Sequence, residues 1–202
     1  MTGLVVIRHA PTPWNRARRL QGHSDIALDD AGRAVALSWR PGVAAWSGWR
    51  LLSSPLRRAS ETAALLFPGQ SLTIEPRLVE MSFGDWEGKT LAQLRGEKGA
   101  EVEEREVMGL DFHAPGGESP RQVQARLQSL LAEIASDGRD TVCIAHKAVL
   151  RALYARATGW DMQAKPPQKV QFGCAHLFDL DAAGHPALRQ LNIPLSSRTV
   201  PA

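Results

Sequence analysis

Leu4-Val5-Val6-Ile7 is a continuous apolar run, rich in β-branched residues, that stops abruptly at Arg8-His9. A strand buried on both faces reads this way, and such strands belong to parallel sheets covered by helices. The pattern recurs outward from this run. Arg50-Leu51-Leu52-Ser53 reads as a second buried strand, Leu72 to Glu75 as a short third, and Thr141-Val142-Cys143-Ile144-Ala145 as another that ends in His146. Helical stretches lie between them. Asp29 or Asp30 opens one that runs to about Ser38 and is broken by Pro41-Gly42; a second runs from Pro55 to about Phe67. Ser119-Pro120 opens a third, with Val123, Leu127, Leu130, Leu131 and Ile134 on one stripe and Asp137-Gly138 as its stop. Lys89 to Val107 reads as one exposed, acid-rich helix, Val149 to Ala157 as a further helix, and Ala175 to Leu180 and Leu188 to Ile193 as final strands. Alternating strands and helices predict an α/β protein: a three-layer α/β/α domain over residues 1–202 with a mostly parallel central sheet, residues 193–202 forming a loose tail.

The 202 residues, 44% hydrophobic and 22% charged, suit one globular core and exclude a disordered or fibrous chain. No apolar run reaches membrane-spanning length, and Arg8-His9 interrupts the N-terminal run where an export signal would continue. The reading is a cytoplasmic protein. Cys143 and Cys174 sit in strand-like contexts as buried thiols, and two cysteines cannot build a multi-cysteine zinc site. Basic residues exceed acidic ones by 24 to 21, only five of them Lys, so Arg supplies most of the positive charge. Arg matches phosphate with a planar fork, but GC-rich coding raises its count as well. The acid-rich stretch Glu97 to Glu106 argues against a nucleic-acid groove there.

In open parallel sheets the ligand site forms beyond the carboxyl ends of the strands, where His9 and His146 both fall. Arg8-His9 after the first strand, Arg57-Arg58 at the helix after the second, Glu80 in the loop after the third, and His146 can converge on one crevice. Guanidiniums would hold a doubly charged phosphate, a neutral imidazole could attack phosphorus, and a carboxyl could hand a proton to the leaving oxygen. Those parts suffice for phosphoryl transfer through a phosphohistidine.

Arg8-His9-Ala10-Pro11-Thr12-Pro13-Trp14-Asn15 resembles the RHG-x-T-x-W-N signature of the histidine phosphatase superfamily, the phosphoglycerate mutase-like group. The likeness continues through Gln21-Gly22, Ser53-Ser54-Pro55-Leu56-Arg57-Arg58-Ala59, Leu78-Val79-Glu80, Pro115-Gly116-Gly117-Glu118-Ser119 and Ala145-His146. It implies the phosphoglycerate mutase-like fold and a histidine acid-type phosphatase. His9 is then the nucleophile, Arg8, Arg58 and His146 bind the phosphoryl group, and Glu80 is the general acid. Asn15 and Thr12 fall in the substrate pocket, and Gln21 and Gly22 border its entrance. A positive pocket should keep the His9 imidazole neutral. The expected partner is a small phosphorylated metabolite, with no membrane and no nucleic acid. No cofactor or metal is implied: the HExxH spacing is absent, and the Arg pair would repel a cation.

Two departures stand out. Ala10-Pro11 replaces the usual Gly after the nucleophile and removes a backbone donor, and Lys147 replaces the usual Gly after the second histidine, placing an ammonium at the pocket rim. A phosphoglycerate mutase is disfavoured, because mutases carry a longer basic segment after the Glu-bearing loop. A non-catalytic phospho-ligand or RNA-binding module needs neither nucleophile nor acid. Gln21-Gly22 and the Pro-Gly-Gly-Glu-Ser segment resemble the α-ribazole phosphatases, and broad-specificity sugar phosphatases share both features.

Overall fold

The structure, a computed structural model, describes residues 1–196. Six strands form one sheet: β1 (Thr2–Arg8), β2 (Arg50–Ser53), β3 (Leu72–Ile74), β4 (Thr141–Ala145), β5 (Cys174–Leu180) and β6 (Pro186–Pro194). Their order is β3-β2-β4-β1-β5-β6, with β1, β2, β3 and β4 mutually parallel, β5 antiparallel to β1 and β6 antiparallel to β5. The sheet is therefore mostly parallel, as its continuous apolar runs predict.

The period-two alternation of strand side chains sorts those runs onto two faces. Val5, Ile7, Leu51, Val142 and Ile144 pack with α2 (Asp30–Ser38) and α3 (Arg57–Leu66). Leu4, Val6, Leu52, Cys143 and Ala145 pack with α6 (Pro120–Asp137) and α7 (Lys147–Thr158). Each such aliphatic side chain withdrawn from water contributes roughly 1.5–3 kcal/mol, which makes these two layers the main source of stability. The α6 stripe read from sequence is buried in full, Ser119 caps the helix in a reciprocal box with Gln122, and Gly138 ends it in the left-handed conformation. No described helix is long and apolar enough to cross a membrane.

Several boundaries differ from expectation. α2 ends at Ser38 as expected, but the stretch holding Pro41-Gly42 is not a plain break: it forms a 3-10 turn over Arg40–Trp46, since Pro is tolerated in a first turn. Pro55 lies before α3, whose N-cap Leu56 has extended backbone, and Asp25 accepts the Arg57 N–H at the helix start, 2.7 Å away. The stretch from Lys89 to Val107 is two helices, α4 (Leu91–Lys98) and α5 (Ala100–Glu106), because Gly99 adopts φ +50°. It is not wholly solvated: Leu94 and Val102 join Trp86 and Ala114 in a small third core. Ile193 and Pro194 belong to β6, and Leu195 is buried against Gly42, so 193–195 are not a loose tail. The remainder of that expectation, residues 197–202, lies outside the described residues.

Candidate active site

The carboxyl ends of β1, β2 and β4 are stitched side by side: the His9 N–H donates to the Ala145 carbonyl and the Ser54 N–H to the Ile144 carbonyl, both at 3.0 Å. Above them lies a cavity of about 590 Å³. Arg8, His9, Asn15, Gln21, Gly22, Arg58, Glu80 and Lys147 contribute to its wall, so eight of the ten residues named from the sequence meet there.

His9 is 4% exposed, and its Nδ1 lies 2.7 Å from the Ala10 carbonyl. A carbonyl can only accept, so Nδ1 carries the proton and Nε2 presents a lone pair. Burial, with Arg8 and then Arg58 nearby, lowers the His9 pKa well below its usual value and keeps the ring neutral. The following turn is tied to α3, since the Ala10 N–H donates to the Thr62 hydroxyl at 3.0 Å and that hydroxyl donates to the Arg58 carbonyl at 2.6 Å.

Arg58 is fully buried and has no carboxylate partner among the described residues. Its two terminal nitrogens donate to the Ser24 and Gly22 carbonyls at 2.8 Å, and Nε has no partner. Desolvation lowers its pKa against the opposing pull of Glu80, Asp25 and Glu87. Desolvation likewise brings Arg8 down to about 10; its Nε is unpartnered, and its guanidinium lies 4.3 Å from the Phe172 ring centre. His146 sits behind the wall, its ring centre 5.1 Å from that of His9. Nε2 of His146 bonds the Ser54 hydroxyl at 2.7 Å while Nδ1 is left unpartnered, and burial holds this ring, too, well below its ordinary pKa. Unsatisfied buried polar groups each cost about 1–3 kcal/mol. Three such atoms, on Arg8, Arg58 and His146, belong to the residues packed around His9.

Glu80 is 6% exposed, and its Oε1 accepts from the Met81 N–H at 2.9 Å and the Ala148 N–H at 3.2 Å. Its loop is braced from α6, where Arg126, paired with Glu118, donates to the Arg77 and Val79 carbonyls. Glu87 holds the opposite loop. It accepts from the His23, Ser24 and Phe83 N–H groups and the Ser24 hydroxyl, and although burial works to raise its pKa, these bonds win and lower it. Gly22, at φ +51°, is the residue that lets the two loops close, because a Cβ there would lie 1.9 Å from the Glu87 carboxylate.

Two readings need correction. Thr12 is not on the cavity wall: fully buried, it caps the short helix α1 (Pro13–Arg16) by accepting from the Asn15 N–H and donates to the Gln21 side chain at 2.9 Å. A threonine that caps a helix and one that binds a ligand look alike in sequence. Nearby, the His23 Nε2–H donates to the Glu80 carbonyl at 2.9 Å. Arg57 is turned outward and pairs with Glu61. Residues without an assigned role in the sequence reading also take part: Ser54 on His146, Thr62 on Ala10, Arg126 on the Glu80 loop, and Arg151 on the cavity wall. Two of them left a usable signal: Ser54 falls within the Ser53-to-Ala59 motif, and Arg151 lies four residues after Lys147 and so on the same helix face.

Comparison with known proteins agrees with this geometry. The family model described as histidine phosphatase superfamily, branch 1, matches residues 4–194. A glucosyl-3-phosphoglycerate phosphatase of Mycolicibacterium vanbaalenii is 32% identical over 90% of this chain and 84% of its own. A metal-independent phosphoserine phosphatase of Arabidopsis thaliana is 32% identical over 78% of this chain and 69% of its own. Among solved structures, a mycobacterial glucosyl-3-phosphoglycerate phosphatase in complex with VO3 superposes with a TM-score of 0.80 at 28% identity, covering 98% of this chain and 100% of that one.

Proposed function

The chain belongs to the histidine phosphatase superfamily, and from that premise we propose that it is a metal-independent phosphomonoesterase that hydrolyses a small phosphorylated metabolite through a phosphohistidine on His9. The observation that carries the reading is the His9 tautomer: Nδ1 is committed to the Ala10 carbonyl, leaving the Nε2 lone pair among the unpartnered guanidinium Nε donors of Arg8 and Arg58 and the free Nδ1 of His146.

In the first step Nε2 of His9 attacks phosphorus, a P–N bond forms and the P–O bond to the leaving group breaks. Glu80 delivers a proton to the departing oxygen. In the second, water attacks the phosphohistidine, Glu80 takes the water proton, and the P–N bond breaks to release inorganic phosphate and neutral His9. Arg8, Arg58 and His146 hold the equatorial oxygens throughout, and such fixed donors contribute most of the barrier reduction. Asn15, Gln21 and Gly22 shape the entrance. Because His9 stays neutral well below its usual pKa, the reaction is suited to the acid side of neutrality. The relatives act, by name, on glucosyl-3-phosphoglycerate and phosphoserine, two small phosphomonoesters that each carry a carboxylate.

The test is hydrolysis of p-nitrophenyl phosphate in excess chelator by the wild type and His9→Ala, with trapping of the phosphoenzyme. Turnover with an acid-labile phosphoenzyme, both lost in the variant, supports the reading. An inert wild type that still binds phosphate makes the protein a phospho-ligand binder instead.

A further inference from the structure

Beyond Arg8 and Arg58, the cavity wall carries four further cations, Arg18 and Arg19 from the segment after α1 and Lys147 and Arg151 from α7. Lys147 and Arg151 lie one turn apart on α7 and both face the cavity. Neither has a carboxylate partner among the described residues, whereas cations such as Arg77, Arg95 and Arg126 are paired. Aromatic rings hold them in place instead. The Arg151 guanidinium sits 5.1 Å from the Trp160 ring centre, and the Lys147 ammonium 5.7 Å from that of Phe172, the same ring that Arg8 touches from the phosphoryl side. Apart from Glu80, the acid on this wall is Glu106, already neutralised by a two-point contact with Arg95 at 2.8 and 2.9 Å. Leu20, Phe112 and Met162 make much of the rest of the wall apolar.

We propose that Lys147 and Arg151 form a subsite for a second anionic group of the substrate, a carboxylate, and so select phosphomonoesters of hydroxy acids over uncharged phosphorylated alcohols. This rests on the phosphomonoesterase reading above. The placement follows from the helix itself. Between the two cations, the Ala148 N–H holds the Glu80 carboxyl that protonates the leaving oxygen. The organic part of the substrate is bonded to that oxygen, so it extends past Glu80 along the face of α7 that carries Lys147 and Arg151. Burial, followed by Arg8 and Arg151, lowers the Lys147 pKa, and burial lowers that of Arg151. An incoming carboxylate relieves this crowding of positive charge.

The experiment compares kcat/KM for 3-phosphoglycerate and glycerol 3-phosphate, which differ chiefly in the carboxylate, with p-nitrophenyl phosphate as the control for turnover. The wild type is expected to favour 3-phosphoglycerate at least tenfold. Lys147→Met with Arg151→Met should bring that ratio toward one, mainly by raising KM for 3-phosphoglycerate, and Arg151→Glu should invert it. A wild type that hydrolyses p-nitrophenyl phosphate yet shows a ratio near one, or variants that depress both substrates equally, overturns the subsite while leaving the phosphatase reading intact. Hydrolysis of none of the three esters overturns both.

Discussion

The Nδ1–H of His9 is held by a neighbouring carbonyl in either protonation state, so Nε2 is the nitrogen that gains or loses the titrating proton, and the state of this one imidazole sets the acid limb of activity. Nucleophilic attack needs the neutral ring. With its pKa well below 6.5, protonation begins only at correspondingly acid pH, and kcat/KM should stay level from pH 7.5 to pH 6 once ester ionisation is allowed for. A limb near 6.5 in the pH–rate profile would contradict this. Glu80 predicts a dependence on leaving group. Glu80→Gln should slow glycerol 3-phosphate hydrolysis by about 10²–10⁴-fold. With p-nitrophenyl phosphate, whose leaving group needs no proton, the first step should survive and give a burst of nitrophenol equal to the enzyme, then slow turnover. Removing Arg58 should cost roughly 10²–10³ in kcat, by analogy with a lost oxyanion donor.

At the scale of elements, the site depends on braces between segments distant in sequence. Arg126 on α6 reaches the backbone just before Glu80, so Arg126→Met should lower kcat about tenfold with little change in KM, and Arg126→Lys should restore part of it. Equal losses in kcat and thermal stability would make the role structural only. The helices and strands were readable because their signals are local: apolar runs, the Asp29 and Ser119 caps, and Gly138 as a stop. The split at Gly99 is not legible in the sequence, since charged residues on both sides suit a helix equally well. Much of the site was readable for the same reason, its histidines and Glu80 falling at or just beyond strand ends. Partners such as Ser54 and His146, separated by 92 positions, become visible only once β2 and β4 lie side by side.

For the molecule as a whole, acid should be more damaging than alkali. His176, in β5, is fully buried with Nε2 unpartnered, and burial brings its pKa down to about 4. The unfolded chain binds that proton more readily, so stability is complete above about 6.5 and falls as pH drops toward 4, by up to about 3 kcal/mol. His9 and His146 share the sign. Urea midpoints at pH 7 and pH 4.5 should therefore differ less for His176→Gln than for the wild type, and an equal difference would exclude His176 as a source. The order of the sheet has its own effect. β1 and β4, which end in His9 and His146, are its two central neighbours, so neither histidine can leave its place while the sheet survives. Loss of catalysis and loss of fold should coincide along a denaturant titration, with no compact but inactive form between them. A ligand seated against these histidines then stabilises the whole chain, and the rise in melting temperature becomes a direct readout of occupancy for screening candidate metabolites.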